Sequence, residues 1–165
     1  MDLHHLTKTD GPWLHSVIAA HADLSNQVRA LEQESTRRLV VRVVRGRKAT
    51  TKASLLDECA AALQFPLSFG ENWDALNDCL RDLDWLNAQV FVLVIADAVQ
   101  LLTEGSADEF KQFFHILEQA ATNWRPNSVH SNRRPYHVVL HAVSGEQAAL
   151  HTRCQAASMH ADKLA

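Results

Sequence analysis

The sequence predicts an α/β layer fold: a small, mostly parallel β-sheet of three or four strands flanked by helices. Three observations carry this expectation. Strand-like and helix-like segments alternate along the chain. The segment Gln89–Ala96 is a continuous apolar run of strand length, as a central parallel strand covered on both faces requires, and Pro135–Val143 reads as another strand. The segments between them repeat their apolar residues at helical spacing. At 165 residues the chain suits one domain able to bury roughly 70% of its unfolded surface. No repeat, low-complexity tract or long Pro/Gly/Ser linker divides it.

Taken in order, residues 12–19 (PWLHSVIA) read as a short strand and 22–34 (ADLSNQVRALEQE) as a helix. In RLVVRVVRG, Leu39, Val41 and Val43 face one way and Val40, Arg42 and Val44 the other, the period of a strand, and GRK then turns the chain. Thr50 or Thr51 caps a helix carrying Leu55, Leu56, Cys59 and Leu63, which ends before Pro66. Ser106 caps a further helix with acids in its first turn and Phe110, Phe113, Phe114 and Leu117 on one side. It is expected to pack on the strand Gln89–Ala96. The segment SGEQAALHTRCQAAS, residues 144–158, reads as a closing helix.

With 47% apolar residues, 21% charged residues and a formal charge of −3, the composition is that of an ordinary globular protein. Apolar runs such as Val90–Ala96 fall far short of the ~20 residues of a membrane span, and the N-terminus lacks the layout of a signal peptide. A cytoplasmic protein with no membrane partner is expected. Cys59, Cys79 and Cys154 are odd in number and widely spaced, which reads as reduced thiols. No H-E-x-x-H pattern occurs, and His137 and His141 on one strand face would lie ~13 Å apart, so no metal and no cofactor are expected.

The segment FGENWDALNDCLRDLDW, Phe69–Trp85, concentrates acids. At 100° per residue Leu76, Cys79, Leu80 and Leu83 share one side of a helix, while Glu71, Asp74, Asp78 and Asp82 line the other. Asn72 is the expected N-cap, which leaves Asp74 in the first turn where the dipole favours a carboxylate. Asp78 and Asp82 lie beyond it, where aspartate is a poor helix former and i, i+4 repulsion costs a few tenths of a kcal/mol. A solvated face and a binding face for something basic are both open readings of that pattern.

The run FGENWDALNDCL resembles the signature of the barstar family, aromatic-G-E-N-x-D-A-L-x-D-C-L, at every specified position. Members are cytoplasmic inhibitors of bacterial ribonucleases. The resemblance extends over a core of about 39–143, leaving 1–37 and 144–165 as N- and C-terminal extensions. It implies a small parallel sheet flanked by helices and a non-enzymatic, antitoxin-like function. The protein would bind a basic ribonuclease one-to-one and plug its active site, with carboxylates standing where substrate phosphates sit. Carried over residue by residue, Asp78 mimics the scissile phosphate and Asp74 is a second partner for basic groups. Asn72 caps or contacts beside them, and Asp82, Gln119 and the Phe69 loop support the interface. Glu118, adjacent to Gln119, is the alternative alignment.

Two family aromatics are missing: Ser68 stands two positions before the glycine and Asn77 just before the second aspartate. Trp73 and Trp85 are candidates to replace their area. Other readings are a barstar-fold interaction module without ribonuclease inhibition, an RNA binder through the basic segment 37–52, and an acid/base hydrolase using Asp74 and Asp78. Net negative charge opposes the second, and a convex, wet helix face opposes the third. The basic segment reads more simply as a strand edge or solvated turn. Cys79, beside the leucines on the wheel, reads as a buried thiol and not a site.

Overall fold

A computed structural model describes residues 6, 12–34, 38–124 and 134–164. Arg37 of the basic segment, and most of the N-terminus read for a leader, lie outside them. The order is β1 (Leu14–Ile18), α1 (His21–Glu34), β2 (Leu39–Arg45), α2 (Lys52–Leu63), α3 (Trp73–Asp82), β3 (Val90–Ala96), α4 (Ala107–Trp124), β4 (Tyr136–Ala142), α5 (Gln147–Ala156) and β5 (Asp162–Lys163). The sheet has five strands in the order β2-β3-β4-β1-β5, and every pairing is parallel. The α/β class is therefore as the sequence indicates, with one more strand than expected. That strand, β5, is two residues long, too short for any periodicity to announce it.

Burial explains the sequence pattern of the two inner strands. All of β3 and all of β4 are buried, because helices cover both faces. On one face Phe91, Leu93, Ile95, Val138 and Leu140 join Leu55, Leu76, Leu80, Phe113 and Leu117 from α2, α3 and α4. On the other, Val92, Val94, Val41 and Val17 meet Leu24 and Leu31 of α1. The alternating faces of β2 sort accordingly, Val44 to the first core and Val41 to the second. As an edge strand, β2 leaves Arg45 exposed and Val43 38% exposed, which is where basic residues blunt further pairing. Residues outside the resembling core take part in the sheet: β1 pairs with β4, and β5 with β1.

The helix starts follow their caps. Thr51 accepts from the Ser54 amide at 3.2 Å, and the Thr51 amide donates to the Ser54 hydroxyl at 3.0 Å, a reciprocal capping box. Ser106 and Glu109 do the same at the start of α4, at 3.1 and 2.9 Å. Glycine at position 46 is dictated by contact, since a Cβ there would lie 2.3 Å from the Asp97 carbonyl oxygen.

Arg45 Nε and Nη2 donate to the two Glu58 carboxylate oxygens at 2.6 and 3.0 Å, tying β2 to α2. That bonding holds the Glu58 carboxyl below its ordinary value against the opposing effect of its burial. A carboxyl whose folded pKa is depressed contributes stability above its unfolded pKa, lost as pH falls through the folded value. Glu58→Gln is accordingly expected to lower the urea midpoint near neutral pH, with the deficit vanishing in acid below the carboxylate range. An equal deficit in acid would assign the effect to packing.

Candidate functional site on the acidic helix

Short-range bonds hold the start of α3. Asn72 accepts from the Ala75 amide at 2.9 Å and donates from its side-chain amide to the Gly70 carbonyl at 3.0 Å, closing the entry loop. Glu71 takes a left-handed conformation, φ 50°, and projects into solvent. The helix ends at Leu83, also left-handed at φ 47° and buried. Two side chains of α4 satisfy its last carbonyls: Trp124 Nε1 donates to Leu80 O at 3.1 Å and Asn123 Nδ2 to Arg81 O at 3.2 Å. Leu76, Leu80 and Leu83 are the buried face. The helix is thus clamped from behind and at both ends.

Its outer face carries Asp74, Asp78 and Asp82, all exposed, and none forms an ion pair or side-chain hydrogen bond among the described residues. Asp84, just beyond, differs: Arg134 lies 3.5 Å from it. Asn72 is exposed and acts as the cap. Phe69 is half-buried, its ring 4.8 Å from that of Phe65, which in turn meets Trp85 edge-on at 6.0 Å. Gln119 is exposed on α4 and within 2.9 Å of His115 Nε2. It sits one turn before Asn123, on the stripe of α4 that reaches the C-terminus of α3. Glu118 is also exposed, 3.8 Å from His115 Nδ1.

Where the family aromatics are missing, Ser68 is exposed and Asn77 is half-buried, its Oδ1 enclosed with no hydrogen-bond partner among the described residues. Trp73 is half-buried under Lys52, whose ammonium is 5.2 Å from the ring centre. Trp85 stays 39% exposed although its indole N–H donates to Leu63 O at 2.9 Å. Sequence reasoning missed Leu67, which is fully exposed in the entry loop; no local signal separates an exposed leucine from a core one. Cys79 needs correcting: it is half-buried, not buried. Partial burial and the adjacent Asp78 and Asp82 raise its pKa, which keeps the thiol protonated and unreactive. Cys59 and Cys154 are buried, free thiols, and burial pushes Cys59 up to about 12.

Part of the basic segment is engaged. Arg45 is bonded to Glu58, Arg47 lies 3.7 Å from Asp97, and Lys52 covers Trp73. Among the described residues no helix is long and apolar enough to cross a membrane.

These features define a parallel α/β protein with a rigidly held acidic helix on one side of its sheet. The model of the family described as Barstar (barnase inhibitor) matches residues 39–141, and the chain belongs to that family. A comparison with curated proteins finds no match. Among solved structures, the Aeropyrum Pernix ORC2 protein in ADPNP-ADP complexes superposes with a TM-score of 0.57 at 13% identity. The match covers 91% of this chain and 40% of that one, and shows a shared fold alone.

Proposed function

We propose that the protein inhibits a bacterial, barnase-like ribonuclease in the cytoplasm by inserting the outer face of α3 into its basic active site. Asp78 takes the position of the scissile phosphate and Asp74 pairs with a second cation. Asn72, Asp82, Gln119 and the Phe69 loop complete the contact. One observation carries this reading. Three carboxylates stand exposed on one helix face with no partner among the described residues, on a helix whose N-cap and last carbonyls are satisfied within the fold. Asp84, just beyond them, is by contrast paired with Arg134. The family's description as barnase inhibitors supports the choice of partner. RNA binding through the basic segment is disfavoured because Arg45, Arg47 and Lys52 are already engaged. Leu67 and Trp85 provide apolar area for a rim that lacks the family's aromatics at 68 and 77.

The direct test is titration of the protein into a barnase-like ribonuclease while RNA cleavage is followed, with Asp74→Ala/Asp78→Ala alongside. Inhibition by the wild type and its loss in the variant is the expected result. A folded wild type that leaves cleavage untouched would favour an interaction module without ribonuclease inhibition. Because opposite charges steer the encounter, the association rate should fall steeply as salt rises while the dissociation rate changes little. A salt-independent association rate would remove electrostatic steering from the mechanism.

A further inference from the structure

On the other face of the sheet from α3, three residues distant in sequence converge. His21 opens α1, Asp97 follows the last residue of β3, and His141 lies in β4. One ligand-competent atom from each falls within 4.8 Å of the other two. His21 Nε2 is 2.6 Å from Asp97 Oδ1, and the two imidazole rings are 5.2 Å apart. Asp97 and His141 are buried, whereas the His21 side chain is 52% exposed.

The hydrogen bonds fix which nitrogen His141 can offer. The Ala19 carbonyl, which can only accept, lies 3.0 Å from Nε2, so that nitrogen carries the proton. Nδ1 therefore holds a lone pair, and its one contact is a long bond from the Asp97 amide at 3.3 Å. A ring nitrogen that donates to a backbone carbonyl fixes the tautomer and turns the other nitrogen toward an ion, the arrangement that orients metal-ligating histidines. Asp97 is held in place: its backbone is left-handed at φ 52°, and Gly46 presses against its carbonyl.

We propose that His21 Nε2, the Asp97 carboxylate and His141 Nδ1 form a binding site for a divalent transition metal of the zinc class. Two imidazoles and one carboxylate are a donor set such ions favour, and three protein ligands leave at least one coordination position open. That position faces a groove of about 590 Å³ between α1 and β2, lined by Ser25, Arg29, Glu32, Arg45 and Arg47 besides His21 and Asp97. A water or small anion fits there beside the arginines. Ligands on a tetrahedral ion stand about 3–3.5 Å apart, so closure asks for a small movement of exposed His21 and for His141 Nδ1 to exchange its long bond from the Asp97 amide for the ion. The proton that His21 holds toward Asp97 moves to its Nδ1 or to solvent. Arg47, 3.7 Å from the second carboxylate oxygen and 58% exposed, gives up that pairing as the ion takes the carboxylate. The site would pin α1, which lies outside the family-matched residues, onto two strands inside them.

The test is calorimetric titration of the full chain with zinc chloride, and with cobalt chloride followed by visible absorption. One ion should bind per chain, with a cobalt spectrum of low coordination number and a zinc-dependent rise in the melting temperature. His21→Ala, at an exposed position, and Asp97→Asn, which keeps a residue tolerant of left-handed backbone, should each weaken binding at least ~10-fold. Circular dichroism checks that both remain folded. His4→Ala/His5→Ala and His151→Ala should bind as the wild type does. The proposal is overturned if folded wild type takes up neither ion at sub-millimolar concentration, if His21→Ala and Asp97→Asn bind unchanged, or if binding disappears with His4 and His5.

Discussion

Asp78→Ala is expected to weaken the complex with a barnase-like ribonuclease by ~2–5 kcal/mol while leaving the fold within about 0.5 kcal/mol of wild type. The binding range is that of close, truncated charge pairs, for which the barnase–barstar complex, this family's own pair, is the measured case; it is borrowed for scale. Asp78 is exposed in the body of α3 and its side chain contributes no bond to the fold among the described residues. Removing it relieves i, i+4 repulsion with Asp74 and Asp82, so any change in stability should be small and upward. In the complex its loss strands a cation in a desolvated cleft. Dissociation kinetics and a urea titration measure the two quantities independently. Equal losses in both would make Asp78 a structural residue and sink its proposed role.

Leu80→Ala should do the opposite. Leu80 is 1% exposed on the same helix, packed with Leu76, Leu83 and the α4 aromatics, and its carbonyl receives the Trp124 indole. Truncating a fully buried leucine costs ~2–5 kcal/mol through lost transfer energy and the cavity left behind. The urea midpoint should drop accordingly. Inhibition per folded molecule should persist, because the outer carboxylates stay on a helix held by Asn72, Asn123 and Trp124. A Leu80→Ala protein of unchanged stability would mean that α3 is not packed as described. Together the two variants separate what the helix does for the fold from what it does for a partner.

Much of the fold was legible because its signals are local. The unbroken burial of β3 is written as an unbroken apolar run, β4 is apolar apart from His137 and His141, and the caps Thr51, Asn72 and Ser106 act within three residues of themselves. The acidic face of α3 was equally plain, since helical periodicity alone separates Asp74, Asp78 and Asp82 from Leu76, Leu80 and Leu83. The half-exposure of Cys79 was not, because a residue at the margin of an apolar face is buried only if a neighbour reaches it.

The sequence by itself determined the α/β class, the order of the main elements and the amphipathic helix on which the proposed function rests. Each depends on residues close enough along the chain for a period or a cap to record them. Only the tertiary structure decided that β1 lies between β4 and β5, that Arg45, Arg47 and Lys52 are engaged, and that His21, Asp97 and His141 meet. Those outcomes depend on which strands lie side by side. Parallel neighbours are joined by long crossovers, so residues more than a hundred positions apart become contacts that no local pattern announces.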